Sequence, residues 1–157
     1  MKFQEFVCFE ATIPELDNAD RDAAIGALVS ALAKAGRIPA QSAREITEAV
    51  IKRENEASTG MGKGVAVPHV KHTAAKKVMA AIAQSDAGID FAALDEQPVY
   101  SIILLVSPTD SPDDHLQAME LLFKHLQKER FRKFLRQCRL PEQLEDLLTE
   151  ADEDPSW

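Results

Sequence analysis

The segment from Thr59 to His69 has the sequence Thr-Gly-Met-Gly-Lys-Gly-Val-Ala-Val-Pro-His. Glycine at three alternate positions predicts a tight loop, because glycine adopts positive φ and allows close backbone approach at little steric cost. The apolar run 65–67 predicts a short buried strand that Pro68 ends with its fixed φ. His69 is therefore expected at a strand end on a stiff backbone, which suits phosphoryl chemistry or metal binding.

The composition is that of an ordinary globular chain. The 157 residues are 45% hydrophobic and 28% charged, which is enough for one domain with its own core. Apolar runs such as 102–106 are too short to span a bilayer, and no secretory leader is visible. Cys8 and Cys138 lie in unrelated contexts and form no disulfide framework. These features predict a cytoplasmic protein without direct membrane insertion.

The charge distribution bears on the class of partner. The net charge is −8, whereas binding to a nucleic-acid backbone requires clustered Lys and Arg. The basic segment 124–139 has a helical pattern with interleaved apolar residues, so we expect a solvated helix face there. The sequence therefore predicts no nucleic-acid partner.

Helical and strand patterns alternate along the chain. Helices are predicted for 20–35, 40–54, 112–127, 130–138 and 141–150, and strands for 65–67, 78–83 and 99–106. The strand 99–106 is rich in β-branched residues and is expected to be central, whereas the acidic tail 152–157 is expected to be frayed. This alternation predicts an α/β sandwich.

Arg53 interrupts the pattern of its helix. It lies seven residues after Ile46 and four after Ala49, so it falls within the apolar stripe. One interpretation is that Arg53 ends the helix and extends past the core into water. The other is that its guanidinium is aimed at an anion at the edge of the core.

His115 interrupts a second helix in the same way. Ser111 and Pro112 predict the helix start, with Ser111 as N-cap and Asp114 completing a capping box. His115 falls on the predicted core face, whereas His125 is expected at the exposed edge. The other members of that face are apolar: Leu116, Met119, Leu122, Phe123 and Leu126. A core histidine and an imidazole pointing into an anion site both remain possible at His115.

Together these features resemble the active-site segment of the phosphotransferase-system IIA components of the fructose, mannitol and nitrogen-regulatory type. The resemblance is carried by Arg53-Glu54, by Ser58-Thr-Gly-Met-Gly-Lys-Gly-Val-Ala-Val-Pro-His69, and by Val106-Ser-Pro108 leading to Asp114-His115. The spacing of the two histidines also fits the family. The likeness covers nearly the whole chain, from about residue 3 to residue 151.

The resemblance implies a single-domain α/β/α sandwich, with a mixed sheet flanked by helices, over residues 1–151. It implies that His69 accepts a phosphoryl group from an HPr-like phosphocarrier protein, with His115 as supporting imidazole and Arg53 offsetting the phosphate charge. The phosphoryl group would then pass to a IIB partner or act as a regulatory signal. No cofactor is implied.

Two further residues are expected to contact the phosphoryl group. The hydroxyls of Ser58 and Thr59, with nearby backbone N–H groups, are suited to bind its oxygens.

Val70 departs from the family, which usually has glycine after the active histidine, and a β-branched residue does not readily adopt positive φ. Either the turn differs here, or the backbone at this position does not need glycine. The change could also narrow access for a docking partner or alter the set of partners.

Alternatives to this hypothesis are a metal site and other uses of the domain. His69, His72 and His115 would give three nitrogen ligands for Zn²⁺, but His-x-x-His without nearby Cys, Asp or Glu is a weak signal, and we predict no metal. We favour a regulatory phosphocarrier. The alternatives are a sugar-permease IIA subunit and a IIA-like binding module that no longer carries phosphate.

Overall fold

The computed structural model describes residues 1–17, 20–154 and 156–157. The strands are β1 (Gly60–Gly62), β2 (Val65–Ala66), β3 (His69–Lys71), β4 (Met79–Ile89) and β5 (Val99–Ser107). The helices are α1 (Phe3–Phe6), α2 (Arg21–Lys34), α3 (Ala43–Glu56), α4 (Pro112–Leu126), α5 (Glu129–Gln137) and α6 (Pro141–Glu153). Short 3₁₀ turns cover Phe9–Ala11 and Ala40–Ser42.

β5 is the central strand of the sheet. β4 pairs with it antiparallel along one edge, while β2 and β3 pair with it parallel. Since a strand has two edges, β2 and β3 must share the edge that β4 leaves open. β1 adds antiparallel to β2, and isolated parallel bridges join Val7 and Ile13 to β4. The expectation of a mixed sheet with 99–106 at its centre is confirmed.

The sheet is covered by helices on both faces. Ile102, Leu104 and Val106 of β5 belong to the core beneath α2 and α3, whereas Ile103 and Leu105 belong to the core beneath α1, α4, α5 and α6. Side chains alternate between the faces of a strand, so a strand buried on both faces is continuously apolar. The fold is therefore the predicted α/β/α sandwich.

The helix boundaries follow the sequence signals only in part. The Asp20 carboxylate accepts a hydrogen bond from the Ala23 N–H and caps α2. Pro112 is the first residue of α4, but the Ser111 side chain does not cap it and instead lies 3.4 Å from Asp110 Oδ1. The predicted capping box is thus wrong.

Within the described ranges, no helix combines the length and apolar character needed to cross a bilayer.

The buried face of α4 also differs from the prediction. Leu116 is 56% exposed, whereas His125 is 2% exposed. The His125 ring packs against Phe3 and Phe131, with ring centroids 5.1 and 5.2 Å away. These two rings belong to α1 and α5, so their position could not be inferred from the periodicity of α4 alone. The expectation that His125 lies at the exposed edge is wrong.

The described part of the C-terminal tail is packed rather than frayed. α6 continues to Glu153, and Trp157 is buried. Its indole meets Phe131 and Phe134 edge-on, and the Arg130 guanidinium stacks 4.0 Å from the ring. This aromatic cluster corrects our expectation for residues 152–157, of which Pro155 lies outside the described residues. The domain boundary at residue 151 stays a prediction.

Candidate functional site

β2 and β3 act as one parallel strand interrupted at Pro68. Val65 pairs with Ser101 and His69 pairs with Leu105, so both pieces keep the same register on β5. Pro68 has no N–H to donate, but its carbonyl accepts a hydrogen bond from the Leu105 N–H at 3.0 Å. The proline interrupts the ladder without shifting it. His69 consequently begins a second strand, whereas the sequence placed it only at the end of the first.

The glycine-rich segment forms the β1–β2 hairpin. Its turn residues Gly62, Lys63 and Gly64 have φ values of 89°, 60° and 81°, a region that side chains disfavour. A Cβ at Gly60 would lie only 2.8 Å from a neighbouring side-chain carbon. The Asp95 carboxylate accepts a hydrogen bond from the Lys63 N–H at 2.8 Å, and this bond lowers the pKa of Asp95. The expectation of a tight loop is confirmed.

The imidazole of His69 is fixed in one orientation by the backbone. Its Nδ1 lies 2.8 Å from the carbonyl oxygen of Val67. A carbonyl oxygen only accepts hydrogen bonds, so we assign the proton of the neutral ring to Nδ1. Nε2 then carries the lone pair, and it is the nitrogen available as a nucleophile.

His115 lies beside His69. The two ring centroids are 5.7 Å apart, with the ring planes inclined at 46°. His115 Nδ1 lies 2.6 Å from the Oγ of Ser107, the last residue of β5. Burial is the main cause that lowers the pKa of His115 to about 4, and the neighbouring His69 and Lys71 lower it further. The His115 ring is therefore neutral near pH 7, and it borders the site rather than filling the core.

A cavity of about 300 Å³ joins these residues. It is lined by Arg53, His69, Val70, Lys71 and His115. Arg53 lies in the last turn of α3, is half-buried, and makes a long hydrogen bond of 3.4 Å to a backbone carbonyl. The exposed Lys71 adds a second cation. Two cations beside two imidazoles suit a phosphate dianion, which favours the second interpretation of Arg53.

Val70 has the backbone conformation of a strand. It lies in β3 opposite Val106, and its φ is not positive. Its side chain is half-buried against the core beneath α2 and α3. Of the two alternatives for this position, the structure supports the second, because the backbone here does not need glycine.

Ser58 and Thr59 do not line the cavity that holds His69. The Thr59 hydroxyl and N–H both donate to the carboxylate of Glu54, each at 2.7 Å. The Ser58 hydroxyl donates to the Phe91 carbonyl and accepts from the Gly60 N–H. These hydroxyls therefore anchor the glycine loop. Contact between them and a phosphoryl group stays a prediction, and it would require them to exchange partners.

His72 does not line the cavity of the other two histidines, and both of its ring nitrogens have other partners. Its Nδ1 accepts a hydrogen bond from the Ala74 N–H at 3.0 Å, and its Nε2 lies 3.4 Å from the Glu45 carboxylate. Across the described residues, no group of three His, Cys, Asp or Glu side chains is close enough to hold a metal ion. The alternative of a zinc site formed by His69, His72 and His115 is not supported by this arrangement.

Two residues that organise the site had no role in the sequence-based prediction. Ser107 holds the ring of His115, and the buried Glu54 holds Thr59. Glu54 lies four residues after the buried Val50 on the apolar stripe of α3. A buried carboxylate needs donors, so its place on the stripe was a usable signal. Ser107 carried no comparable signal, because its partner lies on another element.

The chain matches a known protein family over most of its length. The family model described as phosphoenolpyruvate-dependent sugar phosphotransferase system, EIIA 2, matches residues 8–151. A fructose-specific EIIA component from Haloferax volcanii is 34% identical over 135 residues, covering 86% of each chain. A nitrogen regulatory protein from Bradyrhizobium diazoefficiens is 33% identical over 139 residues, covering 88% of this chain and 89% of the relative.

Solved structures share the fold. The crystal structure of nitrogen regulatory protein IIA-Ntr from Neisseria meningitidis superposes with a TM-score of 0.82 at 23% identity, covering 92% of this chain and 97% of that one. Enzyme IIAMtl from Escherichia coli, determined in complex with phosphorylated enzyme IIBMtl, superposes with a TM-score of 0.73 at 20% identity. The match covers 89% of this chain and 94% of that one. These likenesses concern the arrangement of the sheet and helices.

Proposed function

This chain belongs to the EIIA type 2 family of the phosphoenolpyruvate-dependent sugar phosphotransferase system, and we propose that it is a histidine phosphocarrier that carries its phosphoryl group on Nε2 of His69. The observation that carries this proposal is the hydrogen bond from His69 Nδ1 to the Val67 carbonyl. It leaves Nε2 as the nucleophile in a cavity that Arg53 and His115 also line.

The proposed step is a transfer between two imidazoles. The lone pair of His69 Nε2 attacks the phosphorus of a phosphohistidine on the donor, and a new N–P bond forms while the donor's N–P bond breaks. The donor imidazole leaves with the electron pair of that bond. His69 becomes cationic as it bonds to phosphorus, and the Val67 carbonyl at 2.8 Å stabilises the Nδ1–H that carries part of this charge. Such a transfer depends chiefly on positioning and charge stabilisation.

The residues around His69 are suited to bind the transferred group. A phosphoryl group brings a charge of about −2, and the cations of Arg53 and Lys71, which both line the cavity, offset it. When the Ser107 hydroxyl donates to His115 Nδ1, the neutral His115 ring carries its proton on Nε2. That N–H is then a donor for a phosphoryl oxygen. A neutral ring also avoids placing a second positive charge beside the His69 imidazolium.

We propose an HPr-like phosphocarrier protein as donor, and the cytoplasm as the compartment in which the two meet. Leu116, which follows His115 in α4, is 56% exposed, and an exposed large apolar side chain of this kind suits contact with a protein partner. For the acceptor we favour a regulatory target. A IIB protein of a sugar permease is the alternative, which the fructose-specific relative supports. Transfer of phosphate from the loaded chain to a purified IIB protein distinguishes the two.

Intact-mass analysis tests the phosphocarrier proposal. The chain is incubated with phosphoenolpyruvate, enzyme I and HPr, and we expect an acid-labile gain of about 80 Da. The His69→Ala variant should gain nothing, whereas His72→Ala, a matched histidine outside the cavity, should gain the same mass. Absence of a gain in the unchanged chain with several donor proteins would overturn the proposal in favour of a binding module without phosphate.

A further inference from the structure

A second cavity, of about 460 Å³, lies between the start of β5 and helix α5. Its wall includes Gly64 and Val65 of the hairpin and Tyr100 and Ser101 of β5. It shares no lining residue with the cavity at His69. Ser101, which lines this cavity, and Leu105, which pairs with His69, lie four residues apart on β5. At about 3.3 Å per residue, these two positions are roughly 13 Å apart along the strand.

The lining of this second cavity is strongly cationic. Its charged members are Lys63, Arg132, Lys133, Arg136 and Arg139, with Glu129 as the one carboxylate among the lining residues. This positive charge is concentrated in a chain whose net charge is −8. The segment that the sequence suggested was only a solvated helix face therefore forms one wall of a concave site.

Part of this charge has no carboxylate partner within the described part of the chain. Arg139 pairs with Asp86, and Arg132 donates to the Leu126 carbonyl. Among the residues that the structure describes, no carboxylate forms an ion pair with Lys63, Lys133 or Arg136. Cations three and four residues apart on a helix repel one another. An anion bound among them would relieve that repulsion.

One cation is already fixed in position. The Arg136 guanidinium stacks 3.6 Å from the centroid of the Tyr100 ring. Stacking limits the rotamers of a long side chain. Less conformational entropy is therefore lost when the planar guanidinium group binds a phosphate or carboxylate. The cavity volume also falls in the usual range for small-molecule sites, about 300 to 1,000 Å³.

We propose that this cavity binds a small polyanion, a phosphorylated metabolite with at least two phosphate or carboxylate groups. Lys133 and Arg136 bind one anionic group, and Lys63, which also lines the cavity, binds a second. Such a ligand would occupy a binding site of the domain that is separate from the phosphoryl site. The proposal holds whether or not His69 carries phosphate.

Calorimetric titration of the whole chain with pyrophosphate at low ionic strength tests this proposal. We expect saturable binding of one pyrophosphate, weakened by about tenfold or more in K133Q/R136Q, because two charge-assisted contacts are lost. The matched control K34Q/K124Q removes two exposed cations elsewhere and should keep the affinity within about twofold. Equal weakening by the two double variants would indicate diffuse attraction and overturn the proposal.

Amide chemical-shift mapping of the unsubstituted chain locates the ligand independently of any variant. Pyrophosphate should move the resonances of Gly64, Ser101 and Gln137. Shifts confined to His69 and Val70 would place the anion at the phosphoryl site and contradict the proposal. A single-stranded oligonucleotide or an acidic peptide that moves the first set more strongly than pyrophosphate would overturn the assignment of a small ligand.

Discussion

The Nδ1 of His115 lies 2.6 Å from the Oγ of Ser107, and this bond joins the first turn of α4 to the end of the central strand. It fixes the second imidazole of the site from the rigid part of the fold. Because β3 pairs with the same end of β5, His69 and His115 are both positioned by one strand. Their 5.7 Å ring separation is therefore a property of the sheet rather than of a loop.

Replacing His115 should slow phosphorylation of His69. In His115→Ala the proposed donor for the phosphoryl oxygen is lost, and we expect the rate of transfer from phosphorylated HPr to fall by about 100-fold. Rapid-quench measurement of the phosphorylated fraction checks this. His72→Ala is the matched control and should keep its rate. An unchanged rate in His115→Ala would mean that this imidazole serves packing alone.

The pKa of His115 predicts how stability changes with pH. Its folded-state pKa is about 4 against an ordinary value of 6.5, so between these pH values the unfolded chain binds more protons. The stabilisation from neutral His115 is complete above pH 6.5 and is lost as the pH falls towards 4. The melting temperature of the unsubstituted chain should therefore drop more from pH 7 to pH 5 than that of His115→Asn. Equal drops would show that His115 is not desolvated.

The contact between Glu54 and Thr59 should contribute mainly to stability. Thr59→Val removes the hydroxyl that donates to the buried carboxylate, and we expect a loss of about 1 to 3 kcal/mol in the free energy of unfolding. Urea denaturation measures it, with Thr109→Val at an exposed position as control. If the folded variant also accepts phosphate much more slowly, the predicted contact between Thr59 and the phosphoryl group gains support.

Two glycines with opposite roles form a matched pair. Gly64 has a φ of 81°, and an added Cβ would lie 3.0 Å from the Tyr100 ring, so Gly64→Ala should destabilise the fold by about 1 to 2 kcal/mol. Gly26 lies inside α2, where a Cβ would meet only Thr47 at 3.8 Å. Gly26→Ala should stabilise by about 0.5 to 1 kcal/mol. Thermal denaturation of both variants checks the signs, and equal shifts would contradict the assigned turn.

Val70→Gly tests whether the backbone after His69 requires glycine. Because Val70 lies in β3 with a half-buried side chain, the substitution should cost about 1 to 2 kcal/mol in the free energy of unfolding. The rate of phosphoryl acceptance by the folded variant should stay within about twofold. A large increase in that rate would show that Val70 restricts access of the donor.

The sequence predicted correctly those features whose signal lies within a single helix, strand or turn. The glycine turn, the central strand and the apolar stripes of α2 and α3 follow from periodicity and backbone preference. The burial of His125 and Trp157 depends on contacts with Phe131 on another helix, which periodicity cannot supply. The same limit applies to the site. The pairing of His69 with His115 came from the resemblance, whereas the Ser107 hydroxyl that holds His115 required the fold.

The most direct test of the account is identification of the phosphorylated nitrogen. Two-bond ¹H–¹⁵N correlation spectra of the loaded chain, assigned with the His69→Ala variant, distinguish phosphorylation at Nε2 from phosphorylation at Nδ1. The hydrogen bond from Nδ1 to the Val67 carbonyl predicts that phosphorus is bound to Nε2 of His69. Phosphorus on Nδ1, or on another histidine, would contradict the account.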